Sequence, residues 1–169
     1  MIHNYKKQSI MKKVLFLAVL AIASVMAYAQ PRAIGARLGY GAEVSYEHQL
    51  GQNMISLEVG VPGFALLEAA CTYDWIDPFG AAVPWNEKGE WHWYMGVGGA
   101  FQTSWTNPGI GFVGAAGRFG IEYDFWFPLQ LSLDFRPTLG VAFGYNGGGV
   151  GFGYDVYAAG IGLGVRYKF

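Results

Sequence analysis

The chain has 169 residues, of which 53% are hydrophobic, 17% aromatic and only 14% charged, with 26 glycines, one cysteine and a formal net charge of −1. One domain is the natural expectation for this length, and the charged fraction falls well short of the roughly 25–35% that suits a water-exposed surface. The glycines follow no collagen-like period, the aromatic content excludes a disordered low-complexity chain, and the lone Cys71 excludes an internal disulfide.

The first segment reads as a leader. Lys12 and Lys13 precede an apolar run from Val14 to Met26, and Ala27-Tyr28-Ala29 supplies a small-x-small cleavage site before Gln30. That basic, apolar, small-residue order is a secretory signal peptide, and the run is shorter than the roughly 20 residues of a spanning helix. Residues 1–10 either extend the basic region or follow from an upstream start, so Met1 and Met11 both stand as starts. The expected division is a signal peptide over 1–29 and one domain over 30–169. The mature chain then carries seven basic residues against twelve acidic ones, a net charge of −5, which excludes a nucleic-acid binder. No later stretch of about 18 apolar residues exists, which excludes a helical membrane protein.

From Ile34 onward the chain alternates with period two. The first predicted strand, Ile34 to Tyr46, sets Ile34, Ala36, Leu38, Tyr40, Ala42, Val44 and Tyr46 against Gly35, Arg37, Gly39, Gly41, Glu43 and Ser45. The second, 54–61, opposes Ile55, Leu57, Val59 and Val61 to Ser56, Glu58 and Gly60. The stretch 64–75 contains the helix-prone Ala65–Ala70, but Glu68, Thr72 and Asp74 share one face and Leu67, Tyr73 and Trp75 the other, which predicts a strand. Strands follow over 91–101 and 113–125, then 129–136 and 138–145, and finally 158–169, where Ala159, Ile161, Leu163, Val165, Tyr167 and Phe169 form the apolar face.

Eight strands with one broad apolar face predict an all-β, eight-stranded, antiparallel up-and-down transmembrane barrel. The other face, mostly glycine, alanine and a few charges, cannot clothe an exterior but suits a narrow interior. Closing the sheet removes every edge that hydrocarbon would penalise. With the C-terminus periplasmic, the predicted inner turns are Pro62-Gly63, Thr103–Gly109 and Arg136-Pro137-Thr138. The predicted outward loops are Glu47–Gln52, Ile76–Gly89 with Trp85, Trp126–Pro128 and Asn146–Asp155. Trp75, Trp91, Trp93, Tyr46 and Tyr123 are then expected at one rim, and Phe64, Phe135, Tyr167 and Phe169 at the other.

Three parts of the chain carry a resemblance. The Arg37–Tyr46 opening strand behind its leader, the segment Pro128-Leu129-Gln130-Leu131-Ser132-Leu133-Asp134-Phe135-Arg136-Pro137 and the ending Val165-Arg166-Tyr167-Lys168-Phe169 resemble small OmpA/OmpX-like outer-membrane β-barrel proteins of the "porin family" type. The resemblance covers essentially all of the mature chain and implies architecture and export rather than one activity. It implies a Gram-negative outer-membrane location, contact with outer-membrane lipid and lipopolysaccharide, and handling by periplasmic chaperones and the barrel assembly machinery. It makes Val165, Tyr167 and the terminal Phe169 the assembly signal. No peptidoglycan-binding domain follows the last strand, so cell-wall anchoring is not implied.

Arg37, Glu43, Glu58, Glu68, Arg118, Glu122, Asp134 and Arg136 all point to the predicted lumen. Charges there must be paired or wetted. The favoured reading is a salt-bridged plug, with an ion path or proton relay as the alternative, since eight strands are too few for an open aqueous channel. A lipid-modifying enzyme would need a nucleophile and a base. His48 near Ser45, and His92 between two tryptophans, show no such spacing, so no catalytic residue is assigned. The glycine clusters at 96–99 and 160–164 lack a following helix and a phosphate-binding lysine. No cofactor or metal spacing appears. The expectation is a structural or surface-interaction protein of unknown ligand, with a narrow pore and an outer-leaflet enzyme as rivals.

Overall fold

The computed structural model describes residues 32–77, 88–107, 109–145, 149–155 and 160–169. The expected leader over 1–29 and the expected cleavage residues Ala27, Ala29 and Gln30 lie outside them, as do Trp85 and parts of the connections 76–89 and 146–155. Ten strand segments carry the described chain: β1 (Arg32–Leu38), β2 (Gly41–Leu50), β3 (Asn53–Pro62), β4 (Leu66–Ile76), β5 (Gly89–Ser104), β6 (Gly111–Phe125), β7 (Leu129–Phe135), β8 (Thr138–Tyr145), β9 (Gly149–Asp155) and β10 (Ile161–Lys168). Every pairing is antiparallel. Consecutive pairing from β1 to β7, with β10 joining β7 back to β1, closes an eight-membered ring. The seam is tied at its end by Arg32 and Phe169, whose N–H groups each donate to the other's carbonyl at 3.1 and 2.8 Å.

The ring has the expected number of staves, but two are assembled differently. The predicted strand 34–46 folds back on itself at Gly39-Tyr40, so that Leu38 pairs with Ala42 and Ile34 with Tyr46. Conversely, the predicted strands 129–136 and 138–145 are one straight stave. Phe135 pairs with Phe119 of β6 and Thr138 with Ala116, an unbroken register across Arg136-Pro137. Pro137 interrupts the ladder because it has no N–H to give, while its carbonyl still accepts from the Gly117 N–H at 2.9 Å. The segments β9 and β10 likewise continue one another along this stave, with a shift. Leu139 pairs with Tyr154 and Phe135 with Ile161, so the numbering advances by four on one side and by seven on the other between these two pairings.

These two changes reverse the ends of every connection between them. Gly51-Gln52, Trp126–Pro128 and the facing strand ends Ile76 and Gly89 lie at the end that holds Arg32 and Phe169, the terminal end. Gly39-Tyr40, Gly63–Ala65 and Trp105–Ile110 lie at the opposite end with the β8–β9 hairpin. The expected grouping of Glu47–Gln52, Ile76–Gly89 and Trp126–Pro128 opposite the C-terminus is therefore corrected, and Arg136-Pro137-Thr138 is no turn. The aromatic bands regroup in step: Trp75, Trp91, Tyr123, Tyr167 and Phe169 share the terminal end, while Tyr40, Phe64 and Trp105 stand exposed at the other.

The barrel is inside-out relative to a water-soluble one. Val44, Val59, Val97, Phe119, Leu133 and Leu163 are exposed on the outer wall, while the buried residues are mostly polar or charged. The buried apolar set is small, comprising Ala33, Met54, Ala70, Tyr94, Ala100, Phe112 and Ala116 among the described residues. Glycine makes room for the bulk inside. A Cβ on Gly96 would lie 1.8 Å from Asp74 Oδ1, and one on Gly162 would lie 2.3 Å from the Arg37 guanidinium carbon. Glycine at positions 96 and 162 is therefore a packing requirement of a crowded lumen.

Candidate functional site: the lumenal charge network

Period-two alternation sends one residue in two to the lumen, and the closed ring brings those from distant strands within contact. Seven buried carboxylates (Glu43, Glu47, Glu58, Glu68, Asp74, Glu122 and Asp134) meet five buried arginines (Arg32, Arg37, Arg118, Arg136 and Arg166) among the described residues. Acids outnumber bases, so the arginines are shared. Arg37 spans from β1 to Asp134 of β7 at 2.6 Å and to Glu43 at 3.3 Å, and donates to the Gly160 carbonyl at 2.7 Å. Arg136 holds Glu43 at 2.8 Å and also engages Glu58 and Glu68. Gln102 donates to Glu68 from β5.

Arg118 of β6 is the hub. It reaches Asp74, Glu47 and Asp134 at 3.2 Å each and Glu58 at 3.3 Å, and it donates to Ser56. Its guanidinium sits 4.8 Å above the ring of Tyr94, a cation–π contact in a desolvated site. The Tyr94 hydroxyl in turn donates to Asp134 at 3.3 Å. Nearer the terminal end Arg166 reaches Glu47 at 3.1 Å and donates to Ser45 at 2.9 Å and Ser132 at 2.7 Å. Lys168 pairs with Asp124 at the rim.

The eight charges expected in the lumen are all buried, and seven of them, Arg37, Glu43, Glu58, Glu68, Arg118, Asp134 and Arg136, form one connected network. Glu122 stands apart. It accepts from Gln130 at 3.2 Å and has no ion pair among the described residues. It lines a cavity of about 30 Å³ with Glu47 and Gln130, space on the scale of a single water.

Sequence reasoning missed Glu47, Asp74, Arg166 and Tyr94 as members. Asp74 and Arg166 already lay on faces shared with Glu68 and with the lumenal glycines, so alternation alone identifies them. Tyr94 follows from its parity against Trp93 and Met95. Glu47 is hidden because the predicted strand stops at Tyr46, whereas β2 runs on to Leu50.

Neither histidine hydrogen-bonds a serine or the cysteine among the described residues. Ser45 points into the lumen toward Glu58 and Arg166, whereas His48 lies on the other face of β2, with its Nδ1 3.3 Å from the Tyr46 hydroxyl. His92 Nδ1 meets Asp77 Oδ2 at 2.6 Å, and its Nε2 lies 3.5 Å from Glu90. No group of three or more His, Cys, Asp or Glu is placed to hold a metal ion among the described residues.

The arrangement is a set of multiply shared ion pairs that links β1, β2, β3, β4, β6 and β7 across the lumen. Comparison with protein families, with curated proteins and with solved structures finds no match for this chain.

Proposed function

We propose that this protein is an integral outer-membrane barrel of the OmpA/OmpX-like kind, exported by its leader, with a structural or surface-interaction role. The carrying observation is the inversion of its two faces. Large aliphatic and aromatic side chains stand exposed around the wall, and arginines and carboxylates are sequestered within. Water would disfavour that exterior, whereas lipid favours it. Closed antiparallel pairing satisfies the backbone where no water can. The apolar parity of Val165, Tyr167 and Phe169 on the closing stave supports their reading as an assembly signal, with chaperones and the assembly machinery as transient partners.

With the terminal end toward the periplasm, the surface-facing connections become Gly39-Tyr40, Gly63–Ala65, Trp105–Ile110 and the β8–β9 hairpin. Any ligand or lipopolysaccharide contact then falls on these. The shared ion pairs of Arg118 and Arg136 argue for a closed lumen over a pore.

The test is fractionation and gel mobility of the expressed protein, followed by planar-bilayer recording. The expected result is an outer-membrane, detergent-requiring species that runs compactly unless boiled and gives no unit conductance. Solubility without detergent would overturn the membrane reading, and regular conductance steps would replace the plug by a pore.

A further inference from the structure

The sheet that closes the ring leaves one strand flanked on a single side. Among the described residues β9 pairs with β8 alone and ends the strand order. Its continuation β10 pairs with β1, but β1 turns back at Gly39-Tyr40, where a Cβ on Gly39 would lie 2.3 Å from the Ile161 carbonyl oxygen. That turn is level with the start of β10, so the far edge of β9 runs on past it without a described neighbour. Gly149–Asp155 therefore presents an open ladder edge of about 20 Å.

Neither lipid nor water suits this strand by itself. Hydrocarbon does not tolerate an open edge, because unpaired N–H and C=O groups find no water there. Water tolerates the edge but not the side chains beside it. Val150 and Phe152, 75% and 71% exposed, are the most exposed large apolar residues among those described. The usual guards of an edge, lysine and proline, are missing from β9, and no charged residue occurs from Pro137 to Tyr154. The glycines of β9 differ from one another. A Cβ on Gly153 would press on Phe112 and Ala142 at 3.2 Å, whereas one on Gly151 would meet nothing within 4 Å. Packing within the chain explains glycine at 153 and not at 151. A glycine inside a strand often marks the close approach of another backbone.

We propose that the open edge of β9 binds an extended, uncharged peptide segment of another protein by strand addition. The N–H and C=O groups of the incoming strand complete the ladder, which supplies affinity without regard to side chains. The outward row Val150, Phe152 and Tyr154 then selects strands with apolar residues at alternate positions. A charged segment would find no counter-ion between Pro137 and Tyr154. One added strand removes the open edge and covers the apolar row beside it. The proposal rests on the membrane reading, in which the end opposite the termini faces outward, and it narrows the surface-interaction role to the β8–β9 hairpin.

The test uses the mature barrel in nanodiscs and a fluorescent peptide as long as β9 that alternates threonine and valine. Binding is read by anisotropy against empty nanodiscs. A control peptide carries ester links in place of its amides, which keeps the side chains and removes every N–H donor. The expected result is saturable binding of the amide peptide, slowed hydrogen exchange of the β9 amides, and affinity for the ester peptide lower by about tenfold or more, the scale of one or two lost hydrogen bonds. Phe152→Lys, at an exposed position, should weaken binding by a similar factor and keep the compact unboiled gel band, while Trp126→Ala at the terminal rim should leave binding intact. Equal affinity for the two peptides, or binding indifferent to Phe152→Lys, overturns strand addition in favour of unspecific apolar contact. Self-association of the barrel that the amide peptide does not displace overturns the foreign partner in favour of a second copy. Insertion without peptide binding overturns this proposal alone, and failure to insert overturns it together with the membrane reading.

Discussion

The opening segment 34–46 and the late segment 129–145 look alike as sequences and fold in opposite ways. Both alternate without a break, yet the first is a hairpin and the second is one stave. In the hairpin Leu38 pairs with Ala42 across Gly39-Tyr40, so even-numbered residues stay outside on both strands and the alternation passes through the turn unaltered. In the stave Pro137 resembles punctuation, but Leu133 and Phe135 keep their outward parity into Leu139 and Val141. Period two therefore reports which face a residue takes and is blind to a turn that preserves parity. The segments meet inside the barrel, where Arg37 of β1 grips Asp134 of β7.

The largest expected effect comes from breaking register. A six-residue tag inserted after Tyr40 lengthens a hairpin tip and should leave the compact unboiled gel band in place. The same tag after Pro137 would separate Phe135↔Phe119 from Thr138↔Ala116 within one continuous pairing and should abolish that band. Equal tolerance at both positions would mean that 136–138 is a turn after all.

Next in size is the contact that joins the two segments. Asp134→Ala removes a partner of Arg37, Arg118 and Tyr94 at once. Taking one shared carboxylate from two buried guanidiniums should cost about 3–5 kcal/mol, read as a lowered unfolding midpoint in detergent. Glu90→Ala at the exposed rim should cost less than about 1 kcal/mol. Similar losses would mean that the lumen is wet enough to solvate Asp134.

Most of the lumen was legible for one reason. A charge that recurs on the face shared with glycine must point inward once the other face is uniformly apolar, as at Arg37, Glu58, Arg118 and Asp134. The number of staves was also reached, but through two compensating errors, an unseen turn at Gly39-Tyr40 and an imagined one at Pro137. The end at which each connection lies depends on the order of turns and not on their number, so the aromatic bands were misgrouped although each ring was placed outside correctly. The three extra residues between β9 and β10 reverse outward parity from Phe152 and Tyr154 to Ile161 and Leu163. Register of that kind is set by pairing across the sheet, which a single strand's sequence does not display.

A smaller effect is expected at the hairpin itself. Glycine is needed at position 41 because a Cβ there would fall 2.3 Å from the Val61 carbonyl oxygen and 2.7 Å from the Pro62 Cα, both backbone atoms. Gly41→Val should therefore force β2 from β3 at a cost of about 1–3 kcal/mol, measured by equilibrium unfolding. A neutral result would show that the β1–β2 tip can move away from β3 freely.

The smallest effect carries the most information through its sign. Pro137 stands opposite Gly117 and accepts its N–H at 2.9 Å, but it returns no bond because proline has no N–H. In a straight stave, Pro137→Val supplies the missing donor to the ladder, and its β-branched side chain joins Phe135 and Leu139 on the apolar wall. The expected outcome is stabilisation by up to about 1 kcal/mol, the net worth of one backbone hydrogen bond. If residues 136–138 formed a turn, the same substitution would discard a preset backbone angle and free the unfolded chain, and stability would fall by a similar amount. Reversible unfolding of the two proteins side by side decides between the signs. The Gly117 amide provides a second readout, since its hydrogen exchange should slow in the straight stave and quicken in a turn.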